Sequence, residues 1–206
     1  KFDPLQPELM FRAPDALDLR HQVVVCGCGG GETVKTVIPD ILAKAMRLVL
    51  DADALNAIAA DPQLQRLLAA RHREGCSTVL TPHPLEAARL AGLTAAQIQA
   101  DRLAAAQRLA ERFQCVVVLK GSGTVVAGPS QQTFINGTGN ALLATAGTGD
   151  VLAGMVGAAM ASGQSDFEAA CSAVFTHGRA ADAWAADRPG QTLTASALAA
   201  AISIRD

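Results

Sequence analysis

The sequence of 206 residues predicts an α/β protein with three layers, in which helices cover both faces of a mostly parallel central sheet. Short runs rich in valine and leucine alternate with helix-like stretches along the chain, which is the pattern of strand–helix–strand units. A turn rich in glycine, proline or polar residues follows each of the first four runs. Because ligands bind beyond the carboxyl ends of the strands in such folds, we expect these four turns to form one site.

The elements can be placed in order from these patterns. Strands are expected at residues 21–26, 47–50, 76–80 and 115–119, followed by a hairpin of 125–127 with 132–135 around Gly128-Pro129. Helices are expected at about 33–46, in short pieces up to 72, over 94–113, over 150–162, over 166–187 and from 194 to the end. Asp61-Pro62 should start one of the short pieces. Thr94 and Gln97 form a capping box that should open one long helix, with Leu103, Ala106, Leu109, Ala110 and Phe113 on its buried face.

Composition and charge favour small-molecule partners. The 17 basic and 19 acidic residues give a formal net charge of -2, which provides no basic surface for nucleic acid or for an anionic membrane. No apolar run approaches the roughly 18 residues that a membrane-spanning helix needs, and the first ten residues do not resemble a signal peptide. We therefore predict no nucleic-acid partner, no membrane association and a cytoplasmic location.

Five cysteines form an odd set without paired C-x-x-C spacing, which argues against a disulfide framework and against a zinc site. We predict reduced thiols in the core. A metal site that uses Cys26 and Cys28 is the less favoured alternative.

Residues 134–163 organise the candidate site, because they place two glycine-rich turns and an acid before an apolar helix. The first turn of a helix leaves N–H groups unpaired, and glycines such as Gly147 and Gly149 let a ligand approach them. This pattern predicts an anion site. A carboxylate beside bound phosphate would suffer like-charge repulsion, so Asp150 is expected to contact a substrate proton. The alternative is that Asp150 only caps or charges the helix.

Several motifs together resemble those of the ADP/ATP-dependent NAD(P)H-hydrate dehydratase family, which has a carbohydrate-kinase-like domain of ribokinase-like fold. In chain order they read VVVCGCGGG, LVLDADALNAIA, TVLTPHPLEAARL, VVVLKGSGTVVAGP, NGTGN, TAGTGDVLAGMVGAAMASG and AVFTHGRAAD, and they span about residues 8–182. Two departures from the family pattern occur: Gly27-Cys28-Gly29-Gly30-Gly31 stands where Gly-Pro-Gly-Leu-Gly is usual, and Leu85 stands where glycine is common.

The resemblance also implies a domain organisation. Family members carry a first βαβ portion before the segment that stands here at residues 7–10. We therefore expect residues 1–206 to be a single domain truncated at its N-terminus, and whether an epimerase domain precedes it stays open.

The resemblance implies the following site. Asp150 would be the catalytic base and would contact the substrate together with Gly29 and His83, whereas nucleotide would bind at Lys120, Gly121, Ser122, Gly123, Thr124 and Gly149. ADP or ATP would be the co-substrate, Mg²⁺ a cofactor, hydrated NADH or NADPH the substrate, and the protein a homo-oligomer. From the residues alone, Lys120 could equally be a surface lysine in a hairpin turn, and His83 a turn histidine. On the family reading, Lys120→Ala should weaken nucleotide binding and leave thermal stability nearly unchanged.

The roles of four further residues stay open. Asp53, Asn56 and Glu86 could orient waters or Mg²⁺, or could serve as caps and solvated groups. His177 is expected to pack a helix.

The predicted activity is the nucleotide-dependent dehydration of the S epimer of hydrated NADH or NADPH. A ribokinase-like kinase acting on a sugar or a vitamin-precursor alcohol would use the same Gly149-Asp150 pair, and a non-catalytic nucleotide-binding module is a third possibility. The combination of TPHP at 81–84 with NGTGN at 136–140 favours the dehydratase, because generic sugar kinases lack it.

Overall fold

A six-stranded sheet forms the centre of the protein, and its strands lie side by side in chain order. The computed structural model describes residues 3, 4, 6, 7 and 9–202. The strands are β1 (Val23–Cys26), β2 (Arg47–Leu50), β3 (Ser77–Leu80), β4 (Val116–Leu119), β5 (Val125–Ala127) and β6 (Phe134–Ile135).

The first four strands are parallel, and the last two reverse direction. Register pairs Cys26 with Leu50 and Leu50 with Leu80, so these strands end at one edge of the sheet. β5 and β6 form the predicted hairpin beside β4, and both pair antiparallel. The mostly parallel α/β fold is confirmed.

Nine α-helices occur in the described part of the chain. They are α1 (Val34–Lys44), α2 (Ala52–Ala60), α3 (Pro62–Ala70), α4 (Pro84–Ala91), α5 (Ala95–Ala100), α6 (Arg102–Phe113), α7 (Thr148–Ala161), α8 (Asp166–Asp187) and α9 (Ala195–Ala201). The bounds of α8 agree with the prediction, and Asp61 caps α3 by accepting a hydrogen bond from the Gln63 N–H. The predicted last helix extended to the end of the chain, and residues 203–206 of that prediction lie outside the described residues.

One helix was predicted wrongly. The stretch from 94 to 113 is two helices, because the Asp101 side chain accepts a hydrogen bond from the Ala104 N–H and so caps a new helix there. The Thr94–Gln97 capping box is present, but it opens only the short α5. Leu103 is 46% exposed and does not belong to the buried face of α6.

Helices cover both faces of the sheet, as three layers require. On one face Leu48, Leu50, Leu80 and Val117 pack in a core with residues from α1 to α6. On the other face Val49, Val79 and the remaining β4 valines pack against α7 and α8, including Leu152, Val156, Met160 and Val174. No helix within residues 9–202 combines the length and apolarity that crossing a membrane requires.

All five cysteines are free thiols, and four of them belong to a core or pack against one. Cys26 and Cys115 are buried, whereas Cys28, Cys76 and Cys171 are half-buried. Cys28 and Cys171 pack against the core beside α7 and α8, so the prediction of core thiols is wrong only for Cys76.

Candidate active site

The four turns that follow β1 to β4 lie together at the carboxyl edge of the sheet. Hydrogen bonds continue the sheet beyond its strands: the Asp51 N–H donates to the Cys26 carbonyl, Thr81 to Leu50, and Lys120 to Pro82. The turns are thus fixed relative to one another by backbone contacts. The expected meeting of the four turns is confirmed.

The turn after β1 approaches the end of β2 very closely. Gly27 has φ +119°, and a Cβ atom there would lie 1.9 Å from the Asp51 carbonyl oxygen, so only glycine fits. The far end of this turn is tied down by the Asp53 carboxylate, which accepts a hydrogen bond from the Gly31 N–H at 2.8 Å. Asp53 therefore has a structural contact in the turn that presents Cys28 and Gly29.

A cavity of about 890 Å³ opens at this edge of the sheet. Its walls come from the turns after β3 and β4, the segment before α7, the first turn of α7 and the middle of α8. The lining includes His83, Pro84, Lys120, Gly121, Ser122, Gly123, Thr124, Asn136, Thr138, Gly139, Asn140, Thr148, Gly149, His177 and Gly178. All six residues predicted to bind nucleotide line this one cavity, together with His83.

Lys120 forms an ion pair inside the cavity. Its Nζ lies 2.7 Å from Oδ1 of Asp51; the lysine side chain is 19% exposed and the aspartate 1%. The other oxygen, Asp51 Oδ2, is buried without a hydrogen-bond partner. Lys120 is therefore not a surface lysine in a hairpin turn.

Gly149 lies against this ion pair. A Cβ atom on Gly149 would lie 3.2 Å from Lys120 Nζ and 4.0 Å from Asp51 Oδ2. A Cβ at position 149 would therefore require the ammonium group to shift by a few tenths of an ångström. This contact gives a physical reason for glycine at the predicted nucleotide position.

Arg102, at the first position of α6, holds the turn after β4 through hydrogen bonds to its backbone carbonyl groups. Its guanidinium donates to the Leu119 carbonyl at 3.0 Å and the Lys120 carbonyl at 3.3 Å, and it also donates to the Ser122 carbonyl. Burial lowers the pKa of Arg102. One side chain thus positions the backbone of the predicted phosphate-binding turn.

Helix α7 begins at Thr148, with Gly147 as its N-cap at φ +84°. Asp150 is therefore the third residue of the helix and is not its N-cap, so a capping role is excluded, whereas the alternative that it only charges the first turn stays open. The Thr148 hydroxyl donates to the Leu143 and Thr145 carbonyls, both at 2.7 Å, which fixes the start of the helix. The N–H groups of Gly149 and Asp150 belong to the first turn, where helices have no internal acceptors.

Cys28 lies between two carboxylates. The potential ligand atoms of Cys28, Asp51 and Asp150 all lie within 4.8 Å of one another. Burial, followed by the charges of Asp51 and Asp150, raises the pKa of the Cys28 thiol to about 12. The thiol is therefore protonated, and the sequence did not indicate that it lies beside these carboxylates.

His83 caps helix α4. Its Nδ1 accepts hydrogen bonds from the N–H groups of Leu85 and Glu86, and Glu86 Oε2 accepts one from the His83 N–H. Because Nδ1 is the acceptor, the neutral ring carries its proton on Nε2. Glu86 is 4% exposed and belongs to this capping box, and Asn56 accepts a hydrogen bond from Arg89. Neither residue lines the cavity.

His177 packs as predicted but also lines the cavity. Its Nε2 lies 2.9 Å from the Thr148 carbonyl oxygen, so it supports the start of α7. Burial lowers the pKa of His177, and the Lys120 charge lowers it further, while the hydrogen bond to Thr148 opposes the shift. The ring is therefore neutral and donates to that carbonyl.

The structure does not place all predicted residues in the cavity. Gly29 and Asp150 are exposed, and the cavity lining described above includes neither, although Asp150 directly follows Gly149. Sequence reasoning did not select Asp51 or Arg102. Asp51 could have been noticed as the first residue after β2, whereas nothing in the sequence around Arg102 indicates its contacts with the turn.

Fold and cavity together define the class: a ribokinase-like α/β protein with its site at the carboxyl ends of parallel strands. A solved ribokinase-like superfamily protein from Enterococcus faecalis is 25% identical, with a TM-score of 0.70, and the match covers 88% of this chain and 61% of that one. A crystal structure of the ADP/ATP-dependent NAD(P)H-hydrate dehydratase of Bacillus subtilis is 30% identical with a TM-score of 0.80, over 97% of this chain and 73% of that chain.

The chain belongs to the NAD(P)H-hydrate dehydratase family, whose model matches residues 6–203. A curated relative from Neisseria meningitidis, named ADP-dependent (S)-NAD(P)H-hydrate dehydratase, is 45% identical over 183 residues. That match covers 85% of this chain, and the chain spans about 60% of the relative's length. The family resemblance seen in the motifs is thus confirmed.

Proposed function

We propose that this chain catalyses the dehydration that its relatives' names describe. In this reaction the S epimer of hydrated NADH or NADPH is converted back to NADH or NADPH, and ADP or ATP is consumed. The main support is that Lys120, Gly149 and His83, which come from three separate segments, line one cavity. Asp150 directly follows Gly149 in the chain. The relatives' names favour this activity over a kinase that acts on a sugar or vitamin-precursor alcohol.

The nucleotide phosphates would bind between the 120–124 turn and the first turn of α7. Backbone N–H groups at glycine-rich turns and at a helix N-terminus are suited to phosphate oxygens, and Lys120 adds a positive charge. The Lys120–Asp51 contact holds the ammonium group beside Gly149 before any ligand arrives. Arg102 keeps the turn in place through three carbonyl groups.

Asp150 would act as the base. Its carboxylate accepts the proton of the ring hydroxyl, whose oxygen then attacks the terminal phosphorus and releases ADP from ATP or AMP from ADP. The phosphate group next leaves with the electron pair of its carbon–oxygen bond, and the neighbouring ring carbon loses a proton to water, which restores the double bond. His83 and Gly29 would contact the nicotinamide end of the substrate.

Mg²⁺ would be held mainly by the nucleotide. This ion prefers oxygen ligands in octahedral geometry and usually binds one or two carboxylates together with substrate phosphates. Within the described part of the chain, the one cluster of three potential metal ligands combines Asp51 and Asp150 with the Cys28 thiol, a poor ligand for Mg²⁺. Of the two carboxylates, Asp51 would supplement the phosphate oxygens around the ion, and the ion would neutralise charge on the transferred group, while Asp150 would stay free to act as the base.

The test is an assay of the protein at its full natural length with hydrated NADPH and either ADP or ATP. Recovery of the near-ultraviolet absorbance of reduced nicotinamide, dependent on nucleotide, is the expected result. Nucleotide consumption with a sugar or vitamin alcohol, and no recovery of reduced nicotinamide, would show that the kinase alternative is correct. Nucleotide binding without turnover of any substrate would favour the non-catalytic module.

Three further features stay predictions. They are the single domain, the homo-oligomer and the cytoplasmic location. Analytical ultracentrifugation measures the second directly. The small residues of α7 are compatible with either outcome, since Gly157 packs on Val25 of the sheet and Gly154 is exposed.

A further inference from the structure

One thiol and two carboxylates converge beside the cavity, and the reaction proposed above does not use the thiol. Cys28 comes from the turn after β1, Asp51 from the end of β2 and Asp150 from the first turn of α7. The potential ligand atoms of these three side chains all lie within 4.8 Å of one another. Three separate elements thus bring different donor types to one point.

A second observation is that one buried carboxylate oxygen at this point has no partner. Asp51 is 1% exposed, and while its Oδ1 contacts Lys120, its Oδ2 has no hydrogen-bond partner. Buried carboxylate oxygens are normally paired with donors or cations, since desolvation is otherwise uncompensated. Around the point, Asp51 and Asp150 provide two negative charges against the one positive charge of Lys120. The local charge therefore favours a further cation.

We propose that Cys28, Asp51 and Asp150 form a binding site for a thiophilic divalent cation, with Zn²⁺ as the best-matched ion. Zn²⁺ accepts thiolate and carboxylate ligands in tetrahedral geometry, with water in the remaining position. Mg²⁺ and Ca²⁺ prefer oxygen ligands and are disfavoured by the sulfur. The donor set, rather than the fold, determines this choice.

Binding requires a proton to leave and a small local movement. The Cys28 S–H bond breaks, its proton passes to solvent, and the sulfur forms a bond with the metal. The dication offsets the charge of the new thiolate, which lies beside two carboxylates. Ligand atoms of a tetrahedral zinc are roughly 3.3–3.8 Å apart for bonds of about 2.0–2.3 Å, so the cluster must contract by about 1 Å. Asp150 is exposed, so rotation of its side chain can supply that shift.

A cation at this point would occupy the carboxylate that the reaction needs. This consequence rests on the proposed function: with Zn²⁺ bound, Asp150 could not accept the substrate proton, and the site would be inhibited until a chelator removed the metal. The binding itself does not depend on which reaction the protein catalyses.

The test uses the full-length protein without substrate or nucleotide, and Co²⁺ as a spectroscopic substitute for Zn²⁺. We expect one Co²⁺ to bind with a near-ultraviolet thiolate-to-cobalt charge-transfer band that Zn²⁺ abolishes and excess Mg²⁺ does not. Cys28→Ser should abolish the band and weaken Zn²⁺ binding by at least about tenfold in calorimetry. Asp51→Asn should keep a band but weaken binding.

Cys76→Ser is the matched control, since Cys76 is also a half-buried thiol but precedes β3 at the opposite edge of the sheet. Its band and affinity should equal those of the parent. A parent protein without the band, or a band that persists in Cys28→Ser, would overturn the proposal. If circular dichroism shows that Cys28→Ser does not fold, Asp150→Asn takes its place, and an unchanged Zn²⁺ affinity in that variant would overturn the proposal. Metal binding without dehydratase activity would leave this site intact and contradict only the proposed function.

Discussion

The ammonium group of Lys120 lies 2.7 Å from the carboxylate of Asp51, although 69 positions separate the two residues in the chain. The pair joins the turn after β4 to the end of β2, two strands that are not neighbours in the sheet. Because Asp51 is almost fully buried, Lys120 has a structural role in addition to its proposed contact with phosphate. The sequence-based expectation that Lys120→Ala spares thermal stability therefore needs revision.

Lys120→Ala should lower the free energy of unfolding by about 3–5 kcal/mol, because removal of one partner leaves a buried charge uncompensated. Urea denaturation measures this change. Asp51→Asn combined with Lys120→Ala should lose much less than the sum of the two single changes, since the remaining group is then neutral. Additive losses in this cycle would show that the two side chains are not coupled.

Gly149→Ala should weaken the binding of adenine nucleotide by roughly tenfold or more, about 1.4 kcal/mol, because the added Cβ crowds Lys120 Nζ. Gly154→Ala on the same helix is the control. Its Cβ would meet nothing within 4 Å, so this change should raise stability by up to about 1 kcal/mol and leave nucleotide affinity unchanged. Calorimetric titration with ADP compares the two, and equal affinities would argue against nucleotide at Gly149.

Arg102→Met should lower nucleotide affinity, because the carbonyl groups of Lys120 and Ser122 lose the guanidinium group that holds their turn. Arg112→Met is the matched control on the same helix, since Arg112 donates to the Leu90 carbonyl and to Gln65, away from the cavity. Both changes should reduce stability by about 1–3 kcal/mol through lost hydrogen bonds. Only Arg102→Met should lower the affinity for ADP in a calorimetric titration. An equal loss of affinity in Arg112→Met would mean that the loss follows from reduced stability and not from the turn.

His177 should make folding stability depend on pH. Burial lowers its pKa below the ordinary 6.5, so the unfolded chain binds the proton more readily than the folded protein. Stability is therefore lost as the pH falls through about 6.5, and is unaffected by this group at higher pH. His177→Gln should reduce the loss measured by urea denaturation between about pH 7.5 and about pH 5.5. His72→Gln, an exposed histidine, should retain the parent's loss, and an unchanged profile in His177→Gln would refute the assignment.

The sequence predicts most of the fold because the controlling signals are local. Glycine, proline and polar turns mark where the parallel strands end, helix periodicity marks α7, and Asp61-Pro62 marks the start of α3. The division at Asp101 was missed because an apolar period continues across it, while the cap that breaks the helix is one side-chain contact.

The candidate site is predictable only in part. Motif residues such as Lys120 and Gly149 can be selected from the chain, but their partners depend on which turns the tertiary structure brings together. Asp51, Arg102 and the thiol of Cys28 contact residues of distant segments, and no spacing rule connects them. The degree of burial then distinguishes roles that the residue type leaves open. For Lys120 it excludes a surface lysine in a hairpin turn.

Asp150→Asn is the decisive test of Asp150 as the catalytic base. Asn is nearly isosteric, and α7 starts with Gly147 as its cap, so the fold and the affinity for ADP should be retained. Asp166→Asn is the control, because Asp166 also lies in the first turn of a helix, where its Oδ1 accepts a hydrogen bond from the Phe167 N–H and the residue does not line the cavity. We propose to measure the recovery of reduced nicotinamide from hydrated NADPH with saturating nucleotide, with the protein at its full natural length. Turnover should fall by roughly 10²–10⁴-fold in Asp150→Asn and stay at the parent's level in Asp166→Asn. Equal turnover in the parent and in Asp150→Asn would show that Asp150 is not the base.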